Sequence, residues 1–253
     1  MTNLKLIIVV ILCVLLLSLC FGSCNDKSSP TKAKEEIITS YGIDYGNPEQ
    51  YIISGTQSTI TDEEFADITQ QLQFDNIDLS TLKQIYNWKN SYFENVSVGG
   101  EYIGKNTIND LLTNKELTGC HDHGLVLVSL LRKYDVPAIL VDATGIDWAL
   151  QYPETVTYFS GHVLVELYLY DKWMLFDSIN GIYISDYDPT NPIIPLTNSM
   201  ENKGYYAMFK GLDPADYGIT DIQQLNDEQK RYAIMIKDEF PNFVFPSYTI
   251  EQL

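Results

Sequence analysis

Apolar residues recur along this chain with two different periods. After Thr61 they fall at Phe65, Ile68 and Leu72, the i, i+3, i+7 spacing of one helix face. Thr61 and Glu64 stand three apart, as a capping box requires. A second helix is predicted from about Leu79 to Phe93, with Leu82, Ile85, Tyr86 and Phe93 on its apolar face and Trp88 in the core. Val98-Gly99-Gly100 breaks the pattern, and residues 106–117 form a short helix or loop carrying Ile108, Leu111 and Leu112. Residues 125–131 are then almost unbroken hydrocarbon. They predict a helix from Cys120 to about Tyr134 that is apolar nearly all round and therefore buried. Arg132 and Lys133 suit its negative end, and Asp135-Val136-Pro137 stops it.

The second half reads with the strand period. Residues 138–141 predict a buried strand, and 161–169, rich in β-branched and aromatic side chains, predict another. The chain turns around Tyr170-Asp171-Lys172 and returns antiparallel over 173–177. Residues 144–161 between the strands read as a long loop bearing Trp148, Tyr152, Tyr158 and Phe159. A loop over 188–192 and an amphipathic helix over 221–237 complete the pattern, with a strand-and-turn stretch over 34–60. No break follows residue 33, so residues 37–253 are expected to form a single domain of α+β class.

The N-terminus is of another kind. One lysine precedes the strongly apolar residues 6–19, and Phe21-Gly22-Ser23-Cys24 follows. Small residues before a cysteine resemble a bacterial-type lipoprotein signal in residues 1–24, with Cys24 as the lipidated residue. The alternative is an uncleaved anchor, since residues 6–23 are near the lower length for spanning. Either way the body is tethered to a cell membrane and faces outside the cytoplasm. Residues 25–36 are the polar linker.

Charge narrows the partners. Over 253 residues, 34 acidic against 16 basic side chains give a net charge of −18. A phosphate backbone is repelled by such a surface, so nucleic acid is not an expected partner. Of four cysteines, Cys13, Cys20 and Cys24 lie in or just after the apolar leader. Cys120 is the one in the body, which excludes an internal disulfide there and makes it a thiol to examine.

Gly119 allows a tight bend before the helix. Cys120 then sits where free N–H groups and the positive helix end favour an anion, a place that lowers a thiol pKa. A nucleophilic thiol needs a base, and the base needs an orienting group. The body offers His121, His123 and His162. Adjacent residues on a helix point to different sides, which makes His121 and His123 awkward partners for the sulfur. His162 opens a strand, with Asp177 on the next. A two-residue turn at Tyr170-Asp171 would pair Leu169 with Lys172 and place Asp177 diagonal to His162 on one face, whereas a turn at Asp171-Lys172 would put Asp177 opposite Glu166 and too far away; a His162–Asp177 pair therefore requires the earlier turn or a four-residue loop ending at Asp171. A different arrangement of the same residues is a zinc site, with Cys120, His121, Asp122, His123 and His162 as ligands.

Gly-Cys-x-Asp before an apolar helix, the run Leu-Leu-Arg-Lys-Tyr-Asp-Val-Pro-Ala, Gly-His with Val-Glu downstream, and Trp-x-x-x-Asp together resemble the transglutaminase-like superfamily over about residues 80–185. The resemblance implies a papain-like core: a central buried helix starting at the cysteine, packed on an antiparallel sheet. It implies thiol acyl transfer without a cofactor, with Cys120 as nucleophile, His162 as base and Asp177 as its orienter. Asp122 falls on an acidic position of the first block and reads as structural. The expected substrate is an extracellular or cell-envelope peptide or protein, hydrolysed or cross-linked; the alternative is a binding or structural lipoprotein that keeps the fold without the chemistry. Trp148 and Tyr158 of the aromatic loop are the candidate substrate contacts, and Trp88 is a candidate second oxyanion donor.

Overall fold

Capping boxes set the starts of the early helices. The computed structural model describes residues 41–74, 76–96 and 100–253. Helix α1 (Asp62–Leu72) starts at Thr61, whose side chain accepts from the Glu64 N–H while Glu64 reaches back. Helix α2 (Leu79–Tyr92) repeats the device with Asp78 and Thr81. Strand β1 (Glu94–Asn95) pairs in parallel with β2 (Glu116–Leu117), and helix α3 (Ile108–Asn114) lies between them in sequence. Helix α4 (Cys120–Lys133) follows. Then come β3 (Ala138–Gly145), α5 (Ile146–Gln151), β4 (Gly161–Leu169), β5 (Lys172–Asp177) and β6 (Ile182–Ile184). The chain closes with β7 (Ile193–Ile194), β8 (Tyr205–Gly211), α6 (Ile222–Glu239) and β9 (Ile250–Gln252).

Seven strands form one antiparallel sheet in the order β7-β8-β3-β4-β5-β6-β9. Its two faces are both buried, which accounts for the near-continuous apolar strands. Leu140, Val163, Val165, Leu167, Met174 and Phe176 join the side chains of α4 in the larger core. Val141, Ala143, Leu164 and Leu175 belong to a second core on the opposite face. The β4–β5 hairpin turns at Tyr170 and Asp171, both at positive φ (56° and 58°), as a two-residue turn matching the strand twist requires. Leu169 pairs with Lys172 and Val165 with Phe176.

Several elements differ from expectation. Strand β3 runs four residues beyond 141, and the expected loop over 144–161 contains helix α5. Between residues 41 and 60 there are turns and a single 3-10 turn, Pro48–Tyr51, in place of a strand. Strand β8 was not expected at all, yet it pairs with β3 in the middle of the sheet. The Val98–Gly99 part of the predicted break and the leader with Cys24 lie outside the described residues. Among the described residues, no helix is long and apolar enough to cross a membrane.

Helix α4 is pinned at both ends. At its C-terminus the buried Arg132 guanidinium donates to the Ala138 carbonyl (2.8 Å), the Leu212 carbonyl (3.0 Å) and Ser58 Oγ (2.7 Å), and pairs with Asp213. In its second turn Gly124 presses on the sheet. A Cβ there would stand 2.8 Å from Leu140 Cδ2 and 3.1 Å from Val163 Cγ1. Glycine inside a helix costs about 1 kcal/mol relative to alanine, so this close approach is its compensation. Gly124→Val should therefore destabilise the fold by about 1–3 kcal/mol through overpacking. Urea unfolding checks this, and an unchanged midpoint would show that the helix does not seat on Leu140 and Val163 as described.

Candidate active site

Cys120 is the first residue of α4, and Gly119 before it is extended. As the first helical residue, Cys120 has a backbone N–H with no intrahelical acceptor. Its half-buried thiol lies on the wall of a cavity of about 430 Å³, together with His121, Asp142, Phe159 and His162. The loop leading into the helix is tied down by Asp122. Both the N–H and the hydroxyl of Thr118 donate to its Oδ2, at 2.7 and 2.6 Å.

His162 is the second residue of β4, and Asp177 ends β5. The register that pairs Val165 with Phe176 leaves His162 and Asp177 as diagonal neighbours on one face. His162 Nε2–H donates to Asp177 Oδ2 at 2.9 Å, which leaves Nδ1 as the other ring nitrogen. Asp177 is held in turn by the backbone N–H groups of Ile179 (2.9 Å) and Asn180 (3.1 Å) and by the Asn180 amide (2.8 Å). Burial pushes the Asp177 carboxyl up, but the hydrogen bond and charge of His162 outweigh it and hold the group at about 2. Burial likewise opposes the imidazolium of His162, and the bonds to Asp177 and to the Cys120 thiol overcome it, raising the ring to about 10. The Tyr205 ring packs against the imidazole with centroids 5.4 Å apart.

His121 does what its position on the helix argued against. Its Nδ1 lies 3.9 Å from the Cys120 sulfur, and its Nε2–H donates to the buried Asp142 Oδ2 at 2.7 Å. At the first turn of a helix, neighbouring side chains can both bend over the open end, so the rule for a helix interior fails there. The thiol feels both rings. Burial raises its pKa, but hydrogen bonds and charge from His121 and His162 lower it to about 6.

His123 faces away from this centre. Lys89 donates to its Nδ1, and its Nε2–H donates to Asn95 Oδ1 at 2.7 Å. Burial, with Lys89 alongside, drops its pKa to about 3 and keeps it neutral. With His123 turned to Lys89 and Asp122 turned to Thr118, the zinc arrangement does not form. Among the described residues no cluster of three metal-ligating side chains exists.

The aromatic candidates also need correction. Trp148 is only 2% exposed, and its indole N–H is committed to the Tyr158 carbonyl, so it stabilises the loop from inside and offers no surface to a substrate. Tyr158 is exposed but is not part of either cavity wall at His162. Phe159 takes that place. It lines the large cavity and a second one of about 250 Å³, which includes Asp177, Asn180, Met200 and Tyr205. Gly161 and His162 belong to both cavities, so the two flank the imidazole. Trp88 is no oxyanion donor, since its Nε1–H is donated to Gln71 Oε1 at 3.0 Å. The C-terminal segment supplies a wall that no motif announced, through Ile222, Leu225, Asn226 and Gln229 of α6.

A lowered thiol pKa has a direct consequence, because only the thiolate is alkylated. The rate of iodoacetamide modification of Cys120, read by mass on its own peptide, should be half-maximal near pH 6, level above it and fall as the thiol protonates below it. A midpoint near 8.5 would mean an ordinary thiol.

No family model and no curated protein matches the chain. A solved structure of a candidate cysteine protease from Cytophaga hutchinsonii is similar to it with a TM-score of 0.48 and 16% identity, over 74% of this chain and 54% of that one. The chain thus spans about half the length of that protein.

Proposed function

We propose that the protein is an exported, membrane-tethered cysteine enzyme of the transglutaminase-like type, which transfers acyl groups through Cys120, His162 and Asp177. The observation that carries this reading is a thiol at a helix N-terminus that shares a cavity wall with a histidine held by a buried carboxylate, His162 Nε2 to Asp177 Oδ2 at 2.9 Å. That is the arrangement of nucleophile, base and orienter that covalent catalysis needs.

In the proposed reaction the Cys120 thiolate attacks a carboxamide or peptide carbonyl, and a carbon–sulfur bond forms. The oxyanion forms near the free Cys120 N–H; one such donor is typically worth about 3–4 kcal/mol of barrier. His162 gives its proton to the leaving nitrogen as the carbon–nitrogen bond breaks, leaving a thioester. Neutral His162 then takes a proton from water, giving hydrolysis, or from an amine, giving a cross-link. Asp177 holds the ring throughout and favours its protonated form. The acyl side of the substrate fits the larger cavity, which contains the sulfur and the apolar side chains of Ile103, Ile222 and Leu225. The substrate is an extracellular or cell-envelope peptide or protein, reached from a tether at Cys24.

Incubation with labelled peptides, with and without a primary amine, tests the chemistry by product mass. Cys120→Ala should reduce turnover to background while the far-UV circular dichroism stays unchanged. Asp177→Ala should lower kcat/KM by about 10²–10⁴-fold. Turnover that survives in Cys120→Ala would rule the mechanism out. The tether has its own test: Cys24→Ala should move the protein from the membrane fraction to the soluble one, and retention in the membrane would point to an uncleaved anchor.

A further inference from the structure

We infer that His121 and Asp142 form a second His–Asp dyad on the same thiol, an imidazolium that donates to the Cys120 sulfur and keeps its proton through the reaction. The inference rests on the reading of Cys120 as a nucleophile. It assigns His121 as a further catalytic residue and Asp142 as the positioning residue behind it.

The geometry of the two pairs is parallel. Each histidine gives its Nε2–H to an aspartate that is almost completely buried, at 2.7 Å for His121 and 2.9 Å for His162. In both rings Nδ1 is left free of that bond. For His121 it lies 3.9 Å from the sulfur. The two aspartates hang from opposite faces of the sheet. Asp142 pairs with Val163, whose side chain joins the core under α4, while His162 pairs with Ala143, which belongs to the core of the other face. The dyads therefore approach the sulfur from two sides, and both histidines line the large cavity.

The surroundings favour a charged His121. Burial opposes the imidazolium, but the charge and hydrogen bond of Asp142, then those of the Cys120 thiol, raise it to about 10. Asp122, on the same helix, is engaged by Thr118. From the other elements, His162 of β4, Asp177 of β5, Tyr205 of β8 and Tyr217 beyond it bear on the same thiol or on its partners. The two phenols are pushed up and stay neutral.

Two imidazoles permit a division of labour. His162 shuttles the proton: it gives one to the leaving nitrogen and takes one from water or amine. His121 does not exchange. When the second tetrahedral intermediate collapses, the carbon–sulfur bond breaks and its electron pair returns to sulfur. That thiolate is received by an imidazolium already in place, which makes it a better leaving group at a moment when His162 has only just been protonated.

The pH dependence of Cys120 alkylation in His162→Ala, His121→Gln and the double variant tests this. Each single variant should keep its midpoint below pH 8, and the double variant should move to about 8.5, the value of a free thiol, or above it because burial then acts unopposed. His162→Ala reaching about 8.5 by itself, or His121→Gln reproducing the wild-type curve, would overturn the inference. A measurement on the unaltered protein needs no variant to fold: the ring-nitrogen NMR signals of His121 should remain those of an imidazolium past pH 8, and titration near the ordinary 6.5 would overturn it. Alkylation requires no substrate, so its outcome is independent of the turnover assay.

Discussion

The seating of one helix on the middle of a sheet determines where the chemistry can be. Helix α4 carries Cys120 at its first position, and the contact of the helix with β3 and β4 sets where that position falls. Gly124 lets the helix backbone approach Leu140 and Val163 more closely than any side chain would permit. Arg132, three turns from the thiol, ties the other end to Ala138, Leu212 and Asp213. A rigid helix fixed in its second turn and at its far end has a fixed near end. The sulfur is therefore placed by packing far from it, and β3 and β4, the strands it rests on, are the ones that bear Asp142 and His162.

Placing ionisable groups there has a cost that the structure answers locally. A buried charge is unfavourable unless it is paired and its remaining hydrogen-bonding capacity is filled. Asp177 meets both conditions with His162 on one side and the Ile179 and Asn180 donors on the other. Those donors come from the turn immediately after β5, so the carboxylate organises the loop that satisfies it. Glu166, two positions beyond Leu164 on β4, shows the same logic without chemistry. It is fully buried and takes Lys210, Tyr45 and Tyr187 as partners, which closes the opposite face of the sheet. The sheet thus carries one buried ion pair that only joins strands and two His–Asp pairs that converge on a cavity.

Local features were legible in the sequence, and features made by distant chain were not. The Thr61 capping box, the buried helix from Cys120 and the 161–169 strand depend on neighbours within a few positions. The hairpin register was legible only once His162 and Asp177 were required to pair, since that demand selects the turn at Tyr170-Asp171 over one a residue later. By contrast, β8 lies some sixty residues from β3 in sequence, and no periodicity tells two short apolar runs that they will pair. The α6 wall of the cavity was hidden for the same reason: its Leu225 looked like any core-facing helical position. The misreading of His121 has a different origin. The rule that adjacent helical residues diverge describes a helix interior, whereas the first turn has no preceding turn to crowd it. The partner that draws the ring over, Asp142, stands in a strand that read as purely apolar up to Val141.

The remaining question is why a chain with net charge −18 should favour one more negative charge at Cys120. The answer lies in the immediate surroundings, because interactions with distant surface carboxylates are screened within about 8–10 Å at ordinary ionic strength. Two cationic groups bear on the thiol, the imidazoliums of His121 and His162, each raised to about 10. Against them stand the two carboxylates, Asp142 and Asp177. Asp122 is occupied by Thr118 at the positive end of the helix, where a carboxylate is welcome. Each imidazolium gives the sulfur both a hydrogen bond and a neighbouring positive charge, and the two together outweigh the effect of burial. His123, held neutral between Lys89 and Asn95, adds nothing to either side. The thiolate is thus the state that the two adjacent imidazoliums favour, and deleting either one should weaken that preference without abolishing it.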